Sequence, residues 1–347
     1  MKDIRGKLII GGFIGAAVVI VLLLYSDLQD IGTYARQFPP LFLIPILGLT
    51  LFNYAGRWLK WQFYLNLIDV KDITYRESIL LWVSGFVLAI TPGKVGEFLK
   101  AGLLRNLTGT PVARSAPVIF AERLTDGLAM FVLAAIGFGG ILATSTANQE
   151  VLQSYVPGYI AVLTIIALGI IALQIRPLCL WGLGVVERLP VVGRFGTSFL
   201  ELYESTYTLL KPFPLLVAVV LGTISWSGEV IGFFLIFWGM GLEPSWLLLW
   251  QAMFILASAT IIGAVSGLPG GLGAAEVTVV GMVQLIVLGY ADPGFAGAAT
   301  LFVRLSTLWF SVVLGLVVAF LSRKILFPPK EEQLWRADHS PESSTMP

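Results

Sequence analysis

Uncharged apolar runs long enough to cross a bilayer recur along this chain, and they leave few folds open to it. Residues 8–26 form 19 consecutive positions without a charge, and a helix rising 1.5 Å per residue crosses a hydrocarbon core of about 30 Å in about 20 residues. Comparable runs occupy residues 41–65, 116–143, 157–175, 212–240 and 296–322. The chain is 57% hydrophobic and 12% charged, against about 25% charged in a soluble domain. The pattern predicts an all-α polytopic membrane protein with about six full spans. No small-residue cleavage site follows residues 8–26, so this run is expected to stay as the first helix.

Two runs are interrupted where an ordinary span would continue. Residues 91–97 read TPGKVGE, and the apolar segment before them, residues 78–90, is too short to span. Residues 268–276 read LPGGLGAAE and interrupt the apolar region that starts at Trp246. Proline and glycines break the helix, and open backbone inside hydrocarbon is tolerated only where protein or a water-filled cavity covers it. Two re-entrant broken-helix hairpins are therefore expected, with breaks at Pro92, Gly93 and Gly96 and at Pro269, Gly270 and Gly273.

The interruptions belong to a repeat. LFNYAGR at residues 51–57 resembles TISWSGE at residues 223–229; TPGKVGE resembles LPGGLGAAE; Arg123-Leu124-Thr125 resembles Arg304-Leu305-Ser306. Arg57 to Pro92 spans 35 positions and Glu229 to Pro269 spans 40; Glu97 to Arg123 spans 26 and Glu276 to Arg304 spans 28. With the N-terminus inside, Lys and Arg gather on cytoplasmic segments and Arg36 alone falls outside, which follows the positive-inside bias. The two halves, residues 41–143 and 213–322, then cross in opposite senses. Inverted repeats with broken helices are the architecture of secondary transporters. Residues 1–327 are expected to form a single transmembrane domain. Within it, residues 176–212 form an amphipathic cytoplasmic connector, on which Phe195, Phe199, Leu202, Thr206 and Leu209 recur at helical spacing. Residues 328–347 are expected to be a disordered cytoplasmic tail.

Charges inside apolar runs are costly, about 2.5–3.5 kcal/mol each at the bilayer centre on insertion scales. Lys94, Glu97, Lys100, Glu122, Arg123, Asp126, Glu276 and Arg304 are the candidate substrate-binding residues, and Glu229 is a ninth intramembrane charge. A helix restarting after PGxxG presents free N–H groups and the positive end of its dipole, which attract an anion; Lys94 and Lys100 add charge in the first half only. The plainer reading is that Glu97 and Glu276 cap their helices and pair with an arginine, of the same repeat or of the other. Glu122 and Asp126 lie one turn apart and could hold a metal, but packing against Arg123 suits them better. Trp58, Trp61, Phe63 and Tyr64, next to Arg57 and Lys60, read as an interfacial belt. One cysteine, Cys179, and one histidine, His339, exclude an internal disulfide and leave too few parts for a zinc site or a Ser-His-Asp triad. No cofactor, metal or nucleic acid is expected.

TPGKVGEFLKAGLL, then AERLTDG and GLPGGLGAAE, resembles the lysylphosphatidylglycerol synthase transmembrane-region family, also called the flippase-like domain family. The resemblance covers roughly residues 8–325. It implies a membrane domain that moves or modifies lipids, in the plasma membrane with both termini cytoplasmic. Multidomain members carry a soluble aminoacyl-transferase domain after this region, and the short tail here favours translocation over synthesis. The expected function is a non-enzymatic flippase for an anionic phospholipid or polyprenyl-linked lipid. The alternative is a non-transporting partner of a separate lipid-modifying transferase; a lipid-dependent transferase is a third reading with less behind it.

Overall fold

The computed structural model describes residues 28–70, 72–89, 97–144, 206–287 and 292–326, with scattered positions between 156 and 184. The expected first span, most of the expected fourth, most of the amphipathic connector and the tail lie outside the described residues. So do Pro92, Gly93, Lys94 and Gly96.

The described residues are helical, without strands, as the apolar runs require. In chain order they form α1 (Leu28–Gln37), a 3-10 turn Pro40–Phe42 leading into α2 (Leu43–Leu67), α3 (Tyr75–Ser84) with its 3-10 extension Gly85–Leu88, α4 (Leu99–Thr108) and α5 (Val112–Thr144). After the connector come α6 (Pro212–Gly239), α7 (Trp246–Val265), a 3-10 turn Pro269–Gly271, α8 (Ala274–Ile286), α9 (Pro293–Arg304), a π-helical turn Leu305–Trp309, α10 (Phe310–Leu321) and α11 (Arg323–Leu326). Caps explain several starts. Thr74 and Glu77 form a reciprocal capping box at α3, the Ser245 hydroxyl accepts from Leu248 N at α7, and Asp292 accepts from Gly294 N at α9, where Pro293 fits the first turn.

Among the described residues, six helical stretches are long and apolar enough to cross a membrane: Pro40–Leu67, Val112–Thr144, Pro212–Gly239, Trp246–Val265, Pro269–Ile286 and Pro293–Leu321. Four are expected spans. The other two are the arms of the second break, each longer than a shallow hairpin needs. Their outward faces carry bare apolar side chains such as Leu51, Ile224, Val277, Leu285 and Phe320. In water such a surface would associate; against acyl chains it costs nothing.

Contacts fix which ends meet. Along the α2–α6 seam, Gly222 lies by Lys60, Gly228 by Leu49 and Phe52, Gly232 by Ile46, and Gly239 by Phe38. The residue numbers rise on one helix as they fall on the other, so the pair is antiparallel. The α3 and α4 arms open toward one end of the molecule, where Trp58 stacks edge-on against Tyr75 and Arg114 donates to the Ile68 carbonyl at 2.6 Å. The α7 and α8 arms open toward the other end, where Gln251 donates to the Ile286 carbonyl at 2.7 Å. The first arm of each break packs on the last long helix of the other half: α7 on α5, α3 and its extension on α10.

The interior has two apolar clusters. One takes Ile46, Met130, Leu133, Phe233, Phe237, Ala252 and Phe295; the other takes Trp61, Tyr64, Leu81, Trp82, Leu104, Ile119 and Ala218. Trp61 and Tyr64 are fully buried there, which corrects the belt reading: these rings face the core because α2 is packed on both sides. On α2, α5 and α6, the polar residues sit between the segments that feed the two clusters. That polar layer is where the candidate residues meet.

Candidate functional site

Helix α5 enters the polar layer at Glu122, Arg123, Thr125 and Asp126, and four cations converge on its carboxylates. Lys100 of α4 donates to Glu122 at 2.7 Å, and Trp82 of α3 donates to the same group at 3.3 Å. Asp126 bonds Lys60 of α2 closely, lies 3.2 Å from Arg57 and 3.1 Å from Arg123. Arg123 also lies 3.1 Å from Glu97 and 3.2 Å from Glu122. These Arg123 contacts are close in distance, yet its Nε and Nη2 make no aligned hydrogen bond with them. Glu122 and Asp126, offered by the sequence as a conceivable metal pair, are thus enclosed by cations, which would repel a metal ion.

The second half is simpler. The α8 restart is held by Glu276, whose Oε2 accepts from Gly273 N at 2.7 Å while its Oε1 accepts from Arg304 Nε at 2.6 Å. Arg304 reaches further and donates to the Gly270 carbonyl at 2.9 Å, so one arginine ties the break to the restarted helix. Gly271 has φ +67° and lies so close to Gly263 of α7 that a Cβ would meet its backbone at 3.0–3.2 Å. Only glycine suits both demands. In each half the glutamate therefore lies against the arginine of the same half, Glu97 against Arg123 and Glu276 against Arg304, and Glu276 caps as the plainer reading has it. One N–H of the second restart is already occupied by that carboxylate.

Both halves line a cavity of about 170 Å³. Its wall includes Asn53 and Arg57 of α2, Glu97 and Lys100, Arg123, Trp226 and Glu229 of α6, Gly270 and Gly271 of the second break, and Arg304. Pro269, Gly273, Glu122, Asp126 and Glu276 stand behind this wall as supports. Arg57 lies between the rings of Trp82 and Trp226, at 5.6 and 5.1 Å, an arrangement that holds a guanidinium without neutralising it. The Asn53 amide, both atoms, the Arg57 Nε and the Trp226 indole nitrogen are buried without a hydrogen-bond partner among the described residues. Opposite them the π turn brings Thr307 to the wall, and Tyr54 donates to its carbonyl at 3.0 Å. Such turns recur at functional sites because they re-aim side chains.

Among the described residues of the layer the charges balance: Arg57, Lys60, Lys100 and the half-buried Arg123 and Arg304 face Glu97, Glu122, Asp126, Glu229 and Glu276. Glu97 and Lys100 are 3.7 Å apart. Arg57, Lys60 and Asn53 were missed in the sequence because they stand among aromatics that read as a belt. The signal that could have found Arg57 is its repeat partner, since Arg57 and Glu229 occupy matching positions.

A broken-helix architecture with this charged wall can be compared with known proteins. The chain matches the lysylphosphatidylglycerol synthase TM region over residues 9–315. It belongs to this family. Among curated relatives of this lysylphosphatidylglycerol synthase TM-region chain is a UPF0104 membrane protein of Methanothermobacter thermautotrophicus. That relative is 25% identical over 331 residues, covering 91% of this chain and 94% of the relative. A second from the same organism is 26% identical, covering 76% and 78%. One from Methanocaldococcus jannaschii is 23% identical, covering 72% of this chain and 99% of its own length. No solved structure matches the chain.

Proposed function

We propose that this member of the lysylphosphatidylglycerol synthase TM-region family is a non-enzymatic lipid transporter in the plasma membrane. In this reading it moves an anionic phospholipid or polyprenyl-linked lipid between leaflets. The observation that carries this reading is the cavity wall, which offers Arg57, Lys100, Arg123 and Arg304 together with the unpartnered Asn53 amide. A wall of that kind inside an apolar bundle suits a phosphate while the tails stay in the bilayer. The reciprocal packing of the first arm of each break on the other half supports an inverted repeat, and the arms opening toward opposite ends support alternating access. Arg76, Arg105, Arg114, Lys211 and Arg323 lie toward the end where α3 and α4 open, and Arg36 lies at the opposite end. This sorting supports cytoplasmic termini.

The test is a head-group accessibility assay in proteoliposomes with fluorescent phospholipids and polyprenyl phosphates. Faster exchange of an anionic species than in protein-free vesicles is the expected outcome. No acceleration with any lipid would leave the partner of a separate transferase as the better reading.

A further inference from the structure

Of the five buried carboxyl groups in the polar layer, four are tied to cations or helix ends within 4 Å. Glu229 is the exception. It is 4% exposed, it lines the cavity, and it makes neither a hydrogen bond nor an ion pair among the described residues. Arg57, on the helix packed against α6, is held instead by Asp126 at 3.2 Å and by the two tryptophan rings. Glu229 is also the repeat counterpart of Arg57, so the two groups hold matching places on paired antiparallel helices.

We propose that Glu229 is a proton-binding site whose protonation is linked to occupancy of the cavity by an anionic head group. The proposal rests on the transport reading above and supplies its coupling ion. With every carboxyl ionised, the described charges of the layer balance, and a phosphodiester adds one negative charge that no described residue offsets. One proton taken up at a carboxylate offsets it. Four carboxylates would have to give up an ion pair or a helix cap to accept it; Glu229 gives up nothing. An unpartnered charge in a buried site is costly, and a protonated carboxyl in the same place becomes a hydrogen-bond donor, which a phosphate oxygen or the Asn53 amide oxygen on the same cavity wall accepts. The proton comes from water reaching the cavity, binds the carboxylate with the lipid, and leaves with it.

The charged and titratable groups on elements packed against α6 are few. Helix α2 brings Tyr54, Arg57, Lys60 and Tyr64, which donates to Thr125 at 3.4 Å; α5 brings Arg114, Glu122, Arg123 and Asp126; α9 brings Arg304; α7 brings none. Apart from Tyr54, each is engaged with a partner described above, and Tyr54 donates to Thr307. A proton taken up at this seam has Glu229 as its least encumbered acceptor.

The experiment uses the full chain in nanodiscs of a neutral lipid, titrated by calorimetry with short-chain phosphatidylglycerol at alkaline pH. Two buffers of different ionisation heat count the protons. The expected result is close to one proton taken up per lipid bound by the wild type, and none by Glu229→Gln. Phosphatidylglycerol affinity should fall about tenfold per pH unit on the alkaline side for the wild type, the slope of a one-proton linkage, and stay flat for Glu229→Gln. If Glu229→Gln does not fold, Glu229→Asp keeps the carboxyl and should keep the uptake, and the wild-type proton count decides. Phosphatidylglycerol binding without proton uptake, or uptake undiminished in Glu229→Gln, overturns the proposal and leaves the transport reading standing. Absence of phosphatidylglycerol binding at any pH overturns the proposal and confines the transport reading to polyprenyl-linked lipids. Glycerol phosphate is the comparison ligand: equal binding and equal uptake would keep the proton linkage and remove the lipid from it.

Discussion

Asp126 is the residue on which the polar layer depends most. It bonds Lys60 and lies within ion-pair distance of Arg57 and Arg123, so its loss takes the carboxylate from two buried cations, Lys60 and Arg57, while Arg123 keeps Glu97 and Glu122. Lys60 is the opposite case: without it Asp126 keeps two arginines. Removing one partner of a buried pair costs about 3–5 kcal/mol when it leaves a bare charge. Asp126→Asn should lose about that much, and Lys60→Met clearly less. The double variant should be more stable than Asp126→Asn alone, because one stranded cation is gone. Thermal unfolding of detergent-purified protein gives the ranking; equal losses for both single variants would show that charge balance does not govern this layer. At this scale the sequence was legible where charge was isolated in apolar surroundings, as at Glu122, Arg123 and Arg304. It was opaque at Arg57 and Lys60. A cation near aromatic residues has the same local pattern at a membrane interface and inside a packed core, and only the helices that cover α2 distinguish the two.

Helices here approach closely at glycines, and which glycines matter is a question about elements rather than residues. A Cβ on Gly228 of α6 would come 2.8 Å from the Leu49 carbonyl oxygen, and one on Gly137 of α5 would come 2.7 Å from Phe254 N of α7. Both obstacles are backbone and cannot rotate away. Gly48, on α2 and exposed, meets nothing. Alanine is favoured over glycine in a helix by about 1 kcal/mol, while overpacking costs about 1–3 kcal/mol. Gly48→Ala should therefore be neutral or slightly stabilising, and Gly228→Ala and Gly137→Ala destabilising, as read by unfolding midpoints. A harmless Gly228→Ala would mean that α2 and α6 separate freely. Helix existence was legible from apolar runs, since length and hydropathy alone decide it. The second break was legible as a break from its proline and glycines, yet the lengths of its arms were not: α7 reaches spanning length, α8 does so only together with the break before it, and a sequence gives no tilt or depth.

At the scale of the whole molecule, the antiparallel α2–α6 seam makes a claim about topology that labelling can check. Gly239 lies by Phe38 and Gly222 lies by Lys60, so Arg36 and Glu243 belong to one end of the pair and Asp72 and Lys211 to the other. Tyr34 donates to Asp292 at 2.7 Å, which brings the start of α9 to the first of these ends. All four test positions are exposed. In a Cys179→Ala background, cysteines at Asp72 and Lys211 should react with an impermeant maleimide only from the cytoplasmic side. Cysteines at Arg36 and Glu243 should react only from outside. The sidedness follows from the cationic end facing inward; the grouping follows from packing alone. The two parts fail separately. Reaction of Arg36→Cys and Asp72→Cys from the same face would mean that α2 does not cross the bilayer, and the inverted repeat would fall with it. Inverted sidedness with the grouping intact would leave the fold as described and turn the proposed direction of access around.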